Sequence, residues 1–215
     1  DLNGMFSIAY IDINKKKLLL ARDRLGKKPL LYSKKGDEIF FSSEIKALLK
    51  IGIGKEINQQ AVKQYFCYNY IPGKNTIYKN IFKLDPGHYI EFNINNLSNF
   101  KPKRFWSITY EPNKIKSTND WCDDIDFLIN DSVKLRMQSD VKVGTFLSGG
   151  IDSSLITAVA NKNSGISEII AFTVGFSERN WDESLIAKSL AEKYKLNHEV
   201  IFLEPSLEET LSQLV

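Results

Sequence analysis

The sequence predicts an α+β segment built from antiparallel sheets, followed by an α/β segment built around a parallel sheet. In residues 1–110, short apolar runs alternate with turns rich in Gly, Pro, Asn and Lys, a pattern typical of antiparallel strands. Residues 111–119 are polar and include a proline, so a domain boundary is expected there. In residues 118–215, strand patterns alternate with helix patterns, which indicates parallel strands joined by helical crossovers.

The first segment is predicted to contain a series of strands and two helices. Residues 5–12 form a continuous apolar run, so this strand is expected to be covered on both faces. Ser43 is expected to cap a helix over 44–50, and Asn58 is expected to cap a helix that ends near Tyr70. The other strands are expected at 18–21, 30–33, 39–42, 88–92 and 104–108.

The second segment begins with a predicted helix over residues 120–139. Apolar residues recur there at near-helical spacing and would form a buried face: Trp121, Ile125, Leu128, Leu135 and Met137. Strands are then expected at 141–147, 168–174 and 198–203, with helices at 151–161 and 182–195. Because nucleotide sites lie at the carboxyl ends of parallel strands, the loop that follows residue 147 is in a suitable place for one.

The composition excludes several classes of protein. The net charge is only +3 and the lysines are scattered, which argues against a nucleic-acid or membrane partner. No apolar run approaches the roughly 20 residues that a membrane-spanning helix needs. Cys67 and Cys122 match no metal-binding spacing, so a reduced, cytoplasmic protein is the better interpretation. Cys67 is expected to pack inside a helix among aromatic residues.

The loop after the strand at 141–147 has a composition suited to phosphate binding. It reads Ser148-Gly149-Gly150-Ile151-Asp152-Ser153-Ser154. Its glycines let the backbone approach a ligand and adopt conformations that other residues resist, and the N–H groups that open the next helix favour anions. The three serine hydroxyls would add donors around the same anion. Asp152 would repel a phosphate unless Mg²⁺ bridges the two, because this ion takes oxygen ligands from both.

Two common nucleotide-binding patterns are missing from the chain. The sequence has no Gly-x-x-x-x-Gly-Lys-Ser/Thr, so it is not a Walker-type NTPase. It also lacks the Gly-x-Gly-x-x-Gly pattern of dinucleotide-binding proteins. The other interpretation of the loop is a glycine-rich turn between a strand and a helix, with Asp152 as a helix cap.

The segment from Phe146 to Ser154 resembles the loop of the ATP pyrophosphatase superfamily, whose members cleave ATP between the α and β phosphates. The preceding Ser139-Asp140-Val141-Lys142-Val143-Gly144 narrows the resemblance to the glutamine-hydrolysing asparagine synthetases and their close relatives. Further similar segments occur in order along the chain: 2–6, 21–26, 42–49, 70–73, 76–78 and 83–89.

The resemblance implies a fold and a reaction. Residues 1–110 would be the C-terminal portion of a glutaminase domain, an αββα sandwich of antiparallel sheets that releases ammonia from glutamine. Residues 118–215 would be the N-terminal portion of a synthetase domain, which uses ATP and Mg²⁺ to adenylate aspartate. The implied ATP and pyrophosphate site comprises Phe146, Leu147, Ser148, Gly149, Gly150, Asp152, Ser153 and Val174, with Asp152 at the metal. The strand-end residues among them would border the adenine.

The resemblance also implies roles that this chain carries only in part. Asn3 aligns with a position where several relatives have an aspartate that holds the glutamine amino group, a charge that an amide does not supply. Family glutaminases use an N-terminal cysteine as nucleophile, and the chain contains none near its start, so no catalytic residue is assigned. Both ends of the chain are interpreted as cuts through a longer protein. The chain alone is therefore expected to be inactive, and the resemblance allows a homodimer of the full-length protein.

Several polar residues are interpreted as structural. The triplet Arg22-Asp23-Arg24 is expected to contain a buried ion pair near the first hairpin. His88 is expected to form a hydrogen bond at the end of a strand. Asp182 and Glu183 are expected to cap the start of a helix, with a substrate role left open.

Two alternatives remain open at this stage. One is a relative that adenylates another carboxylate, such as a β-lactam-forming synthetase or a tailoring amidotransferase. The other is a non-catalytic, amidotransferase-like module, against which the intact Ser-Gly-Gly-x-Asp-Ser loop argues.

Overall fold

The first half of the chain folds as two antiparallel sheets, as its strand and turn patterns predict. The computed structural model describes residues 2–97, 100–112, 115–164, 169–178 and 182–203. The strands of this half are β1 (Ser7–Asp12), β2 (Lys17–Arg22), β3 (Leu31–Lys35), β4 (Glu38–Ser42), β5 (Phe82–Lys83), β6 (His88–Asn93) and β7 (Lys103–Arg104). One sheet has the order β1-β2-β6-β7 and the other the order β4-β3-β5. The last strand is shorter than the predicted 104–108.

The core of this half lies where side chains of the two sheets meet. Leu20, Ile90 and Phe92 from the larger sheet are fully buried and cluster with Tyr32 from the smaller one. Each fully buried side chain of this size contributes about 1.5–3 kcal/mol. A second cluster covers the other face of the smaller sheet, where Leu48 of helix α1 (Ile45–Lys50) takes part.

The expectation that the first strand is covered on both faces is wrong. Tyr10 and Ile11 in β1 are 58% and 55% exposed. The reason is that β1 is an edge strand of the described sheet, where its one partner is β2, while the core forms over β2 and β6. The apolar run therefore predicted the strand correctly but not its burial.

The two helices of this half begin differently. The side chain of Asn58 accepts hydrogen bonds from the N–H groups of Gln60 and Ala61, so the predicted cap of α2 (Gln59–Tyr68) is confirmed. The predicted cap of α1 is wrong: the N-cap position is Glu44, and it is Ser42, rather than Ser43, whose hydroxyl accepts from the Glu44 N–H.

The second half of the chain forms a parallel sheet with helices, which confirms the predicted change of fold class. Its strands are β8 (Gly144–Phe146), β9 (Ile170–Phe176) and β10 (Asn197–Leu203), in the order β10-β9-β8. Its helices are α3 (Thr118–Arg136), α4 (Ile151–Asn163) and α5 (Ser184–Tyr194). Strand β8 is shorter than the predicted 141–147. The chain divides into two compact units, residues 1–112 and 113–215.

The buried face of α3 differs from the predicted one. Trp121, Ile125, Leu128 and Leu135 are all more than 40% exposed. The helix instead packs through Val133, with Ile129 and Met137 beside it, against Val159 and Ala160 of α4. It is the C-terminal half of α3 that packs against α4 in this way. The apolar pattern along the whole helix therefore predicted a longer buried face than the structure has. Of the predicted face, Met137 packs against the buried cluster that α3 and α4 share.

No helix among the described residues is both long enough and apolar enough to cross a lipid bilayer.

Candidate functional site

The Ser-Gly-Gly loop lies at the carboxyl end of β8, where the chain turns into α4. The N–H of Leu147 donates to the Phe172 carbonyl at 2.8 Å, which extends the β8–β9 pairing by one residue. Gly150 occupies the N-cap position of α4, and the N–H of Ser154 makes the first bond of the helix, to the Gly150 carbonyl. The loop therefore places the N–H groups of the first turn at the edge of the sheet, where they favour an anion.

Two serine side chains hold the loop in shape. The hydroxyl oxygens of Ser148 and Ser153 are 2.8 Å apart, and the Ser148 N–H donates to the Ser153 hydroxyl. The Gly150 N–H donates in turn to the Ser148 hydroxyl at 3.3 Å. Ser154 differs from the expectation, because its hydroxyl donates to the Gly150 carbonyl at 2.7 Å within its own helix. Two of the three predicted hydroxyls thus belong to the loop network.

Gly149 is required for close packing rather than for an unusual backbone conformation. Neither Gly149 nor Gly150 is among the residues with a positive φ angle, so that part of the expectation is wrong. A β-carbon added at Gly149 would lie 3.1 Å from Cγ2 and 3.3 Å from Cβ of Ile186. The first turn of α5 therefore presses on the loop at a point where a side chain would not fit without movement.

We expect Gly149→Ala to weaken the binding of inorganic pyrophosphate to the full-length protein about tenfold, because the loop must shift to relieve this overpacking. Ile186→Ala removes the opposing methyl groups, so the double variant should recover most of the affinity. Isothermal titration calorimetry on the two single variants and the double variant measures this coupling. Equal losses in Gly149→Ala with and without Ile186→Ala would contradict the packing explanation.

The side chains of the two acidic residues before α5 make different hydrogen bonds. Asp182 accepts hydrogen bonds from the N–H and the hydroxyl of Ser184, which together with the Phe176 N–H lower the pKa of its carboxyl group. Glu183 occupies the N-cap position of α5 without a side-chain capping bond, and Asp182, one residue earlier, bonds the first residue of the helix. The Glu183 carboxylate instead accepts a hydrogen bond from the Gly149 N–H at 3.2 Å. The expectation that both residues cap the helix is therefore wrong for Glu183, which contacts the loop.

A cavity of about 260 Å³ opens beside the loop. Its walls come from the loop, from the ends of β8 and β9, and from the residue before α5: Phe146, Leu147, Ser148, Ser153, Phe172, Thr173, Val174, Phe176 and Glu183. The structure thus brings together five residues that the sequence assigned to the ATP site. Val174 is 36% exposed, so this valine is not a core residue. The apolar walls with hydroxyls at one end are suited to a flat ring joined to phosphates.

A buried threonine fixes the backbone at the entrance to the loop. The Thr173 hydroxyl donates to the Leu147 carbonyl at 2.6 Å and lies 2.8 Å from Nε2 of His198. Burial, with Lys188 nearby, lowers the pKa of His198, so its ring is neutral near pH 7. Because Thr173 gives its proton to Leu147, Nε2–H of His198 is the donor to Thr173. These contacts connect β10, β9 and the residue before Ser148.

Thr173→Val is expected to lower the free energy of unfolding by about 1–3 kcal/mol, since it leaves a buried carbonyl and an imidazole N–H without partners. It should also weaken pyrophosphate binding, because Leu147 loses its tether. Thr157→Val is the matched control, as Thr157 is equally buried and donates to Thr145. Urea unfolding should show a loss of stability in both variants, whereas calorimetry should show weaker pyrophosphate binding only for Thr173→Val. The same affinity in both variants would contradict a role of Thr173 in holding the loop.

Asp152 lies in the exposed first turn of α4 and lines a neighbouring cavity of about 560 Å³ rather than the smaller one. Within the described ranges, no three His, Cys, Asp or Glu side chains cluster as a metal cage. Mg²⁺ is commonly bound by one or two carboxylates together with phosphate oxygens and waters. A single exposed carboxylate beside an anion-binding helix start therefore fits Mg²⁺ that arrives with a phosphate ligand.

The candidate residues of the first unit are arranged mainly as structural groups. Asn3 is exposed and precedes β1. Nδ1 of His88 lies 2.7 Å from the Pro86 carbonyl, which confirms it as a hydrogen-bonding residue at a strand end. Cys67 is exposed, so its predicted packing role is wrong. Most of the aromatic side chains around it on α2 are exposed too, and a dense aromatic sequence did not produce a buried helix face.

The predicted ion pair in the Arg22-Asp23-Arg24 triplet is also wrong. The guanidinium of Arg22 donates to three backbone carbonyls, those of Lys28, Leu84 and Gly26. The buried Asp23 carboxylate accepts from backbone N–H groups, and no salt bridge between described residues joins it to Arg22 or Arg24. Backbone groups of the loop after β2, together with the Leu84 carbonyl after β5, satisfy both charges, so the triplet holds that loop in place.

Sequence reasoning missed Thr173 and Ile186, and it left a substrate role open for Glu183 without predicting the contact of this residue with the loop. Thr173 is a polar residue inside an apolar strand run, and that signal could have identified it. The contacts of Glu183 and Ile186 with Gly149 left no local signal, because they join residues 34 and more positions apart.

Comparison with known proteins relates both units to one family. Residues 1–106 match the model of a glutamine amidotransferase domain, and residues 124–215 match the model of asparagine synthase. A putative glutamine-hydrolysing asparagine synthetase from Methanocaldococcus jannaschii is 35% identical over 99% of this chain. The chain belongs to the glutamine-hydrolysing asparagine synthetase family.

Two relatives in Bacillus subtilis extend this comparison. Asparagine synthetases 1 and 3 of that organism are 35% and 38% identical, over 88% and 74% of this chain. The chain spans 42% of the length of the Methanocaldococcus relative, and 29% and 26% of the two Bacillus relatives. It is therefore related to a segment of each asparagine synthetase that includes parts of both domains.

Proposed function

We propose that the full-length protein carrying this chain is a glutamine-dependent asparagine synthetase. Residues 1–110 would belong to its glutaminase domain and residues 118–215 to its synthetase domain. The observation that supports this best is the Ser-Gly-Gly loop between β8 and α4, with an apolar cavity beside it, in a chain of this family. The proposal goes beyond the chain itself, which covers less than half of its relatives.

In this reaction the aspartate β-carboxylate attacks the α-phosphorus of ATP, and the bond to the bridging oxygen breaks to release pyrophosphate. Ammonia from glutamine then attacks the β-carbonyl of aspartyl-AMP, which expels AMP and gives asparagine. Within this proposal, Ser148, Gly149, Gly150 and Ser153 hold the pyrophosphate portion of ATP through N–H and hydroxyl donors. Mg²⁺, when bound, neutralises phosphate charge, and Asp152 would hold it.

The remaining assignments follow from the same cavity and from the first unit. Phe146, Leu147 and Val174 line the cavity beside the loop and would border the adenine. Asn3 would lie near the glutamine amino group, in a role that its neutral amide fills only through hydrogen bonds. The partners of this protein would be the small molecules ATP, aspartate and glutamine, and its location the cytoplasm. A homodimer of the full-length protein is also proposed, and light scattering that gives its molecular mass in solution tests it.

The test uses the full-length protein with ATP, Mg²⁺, aspartate and ammonia, and follows the release of pyrophosphate and AMP. Omission of aspartate should abolish release, and asparagine should form in equal amount to AMP. Replacement of ammonia by glutamine tests the glutaminase half separately. Release that does not depend on aspartate would assign another carboxylate as the acceptor. A folded protein that releases no pyrophosphate with any carboxylate would be a non-catalytic module.

A further inference from the structure

Glu183 occupies an unusual position for a carboxylate. It precedes α5, where an acidic side chain would ordinarily accept from the N–H groups of its own helix. Asp182 already makes that contact with Ser184. The Glu183 side chain reaches across to the Gly149 N–H and forms part of the wall of the cavity that also contains Ser148 and Ser153.

The Gly149 N–H is one of the donors that a phosphate at this loop would use. A carboxylate and a phosphate are both acceptors with negative charge, so they compete for this proton and repel each other. Glu183 is exposed, so water reduces this repulsion without abolishing it. The two anions are compatible only if a cation lies between them or the carboxylate moves away.

We propose that Glu183 acts as an internal competitor for the phosphate subsite of the loop, and that it makes anion binding there depend on Mg²⁺. In the nucleotide-free protein, Glu183 holds Gly149 and keeps the loop in the shape that receives a phosphate. A phosphate without Mg²⁺ meets the repulsion of the carboxylate, whereas a Mg²⁺-bound phosphate does not. This inference rests on the proposed function, because it assigns a positioning role at the same site.

The experiment measures the Kd of inorganic pyrophosphate for the full-length protein by calorimetry, once in EDTA and once in excess Mg²⁺. The ratio of the Kd in EDTA to the Kd in Mg²⁺ reports how strongly binding depends on the cation. Glu183→Gln keeps an acceptor for the Gly149 N–H but removes the charge. We expect it to tighten binding in EDTA about tenfold and to lower the ratio accordingly. Glu183→Ala removes both and should lower the ratio as well.

Glu192→Gln is the matched control, because Glu192 is an exposed carboxylate on the same helix and should leave the ratio unchanged. If Glu183 serves only as a tether, Glu183→Gln will behave as wild type and Glu183→Ala will weaken binding equally in both conditions. That result would overturn the inference while leaving the proposed function intact. Absence of pyrophosphate binding to the folded wild-type protein in either condition would overturn both. Thermal melting of each variant separates these outcomes from unfolding.

Discussion

Asp152→Ala is expected to lower the rate of pyrophosphate release by the full-length protein at least about a hundredfold, since the metal supplies several kcal/mol of charge stabilisation. Asp152 lies in the first turn of α4, exposed, beside the N–H groups that favour an anion. Without a cation, its carboxylate would oppose the phosphate that the loop is suited to bind. Under the proposed function Asp152 would hold Mg²⁺ that arrives with the phosphate, so its removal should take away the metal rather than the fold.

The controls separate the loss of a metal ligand from the loss of a charge. Asp131→Ala removes an exposed carboxylate from α3 and should leave the rate within about twofold of wild type, as surface substitutions usually do. Asp152→Asn keeps the shape of the side chain but binds Mg²⁺ poorly, so it should lose nearly as much activity as Asp152→Ala. A rate above one third of wild type in Asp152→Ala, with its melting temperature unchanged, would rule against Asp152 as the metal ligand.

The site was predictable from the sequence where its determinants are local. The sequence shows the end of a strand, two glycines, three serines and the start of a helix within about ten residues. The structure places two of these serines, Ser148 and Ser153, in contact. The contacts that support the loop were not predictable, because Glu183, Ile186 and Thr173 reach it from other strands and helices. Their positions depend on how α5 and β9 pack, which a single sequence does not encode at short range.

The incorrect predictions of burial and of the ion pair have a related cause. Apolar patterns located β1 and α3 correctly, but burial depends on which neighbours cover them. Tyr10 in β1 and Trp121 in α3 are exposed although their patterns matched buried elements. The charged triplet beginning at Arg22 was assigned an ion pair from side-chain charge alone. The structure satisfies those charges with backbone groups of the loop after β2 and with the carbonyl of Leu84, which is 62 positions from Arg22.

Asp23→Ala is expected to lower the free energy of unfolding of the first unit by about 2–4 kcal/mol, because it leaves three part-buried N–H groups without their acceptor. Asp23 is 1% exposed, and its carboxylate accepts from the N–H groups of Leu25 and Lys27 through one oxygen and from Lys28 through the other. Urea unfolding followed by far-ultraviolet circular dichroism at pH 7 measures the loss.

Asp23→Asn should lose about half as much, because one amide oxygen can serve Leu25 and Lys27 while the NH₂ group faces the Lys28 N–H. Asp37→Ala removes an exposed carboxylate from a turn and should change stability by less than about 0.5 kcal/mol. A loss in Asp23→Ala no larger than in Asp37→Ala would show that the loop does not depend on Asp23.

The same contacts determine how this stability depends on pH. Burial alone would raise the pKa of Asp23, but the hydrogen bonds from Lys28, Lys27 and Leu25 outweigh it and lower the pKa. In the unfolded chain the carboxyl group titrates near its ordinary value of about 3.9. The contribution of Asp23 is therefore complete above that pH and is lost as the pH falls through the lower folded pKa. The difference in stability between wild type and Asp23→Asn should accordingly be constant from pH 7 to pH 5 and shrink below pH 4, whereas a difference that grows on acidification would show that the carboxyl group is protonated in the folded protein.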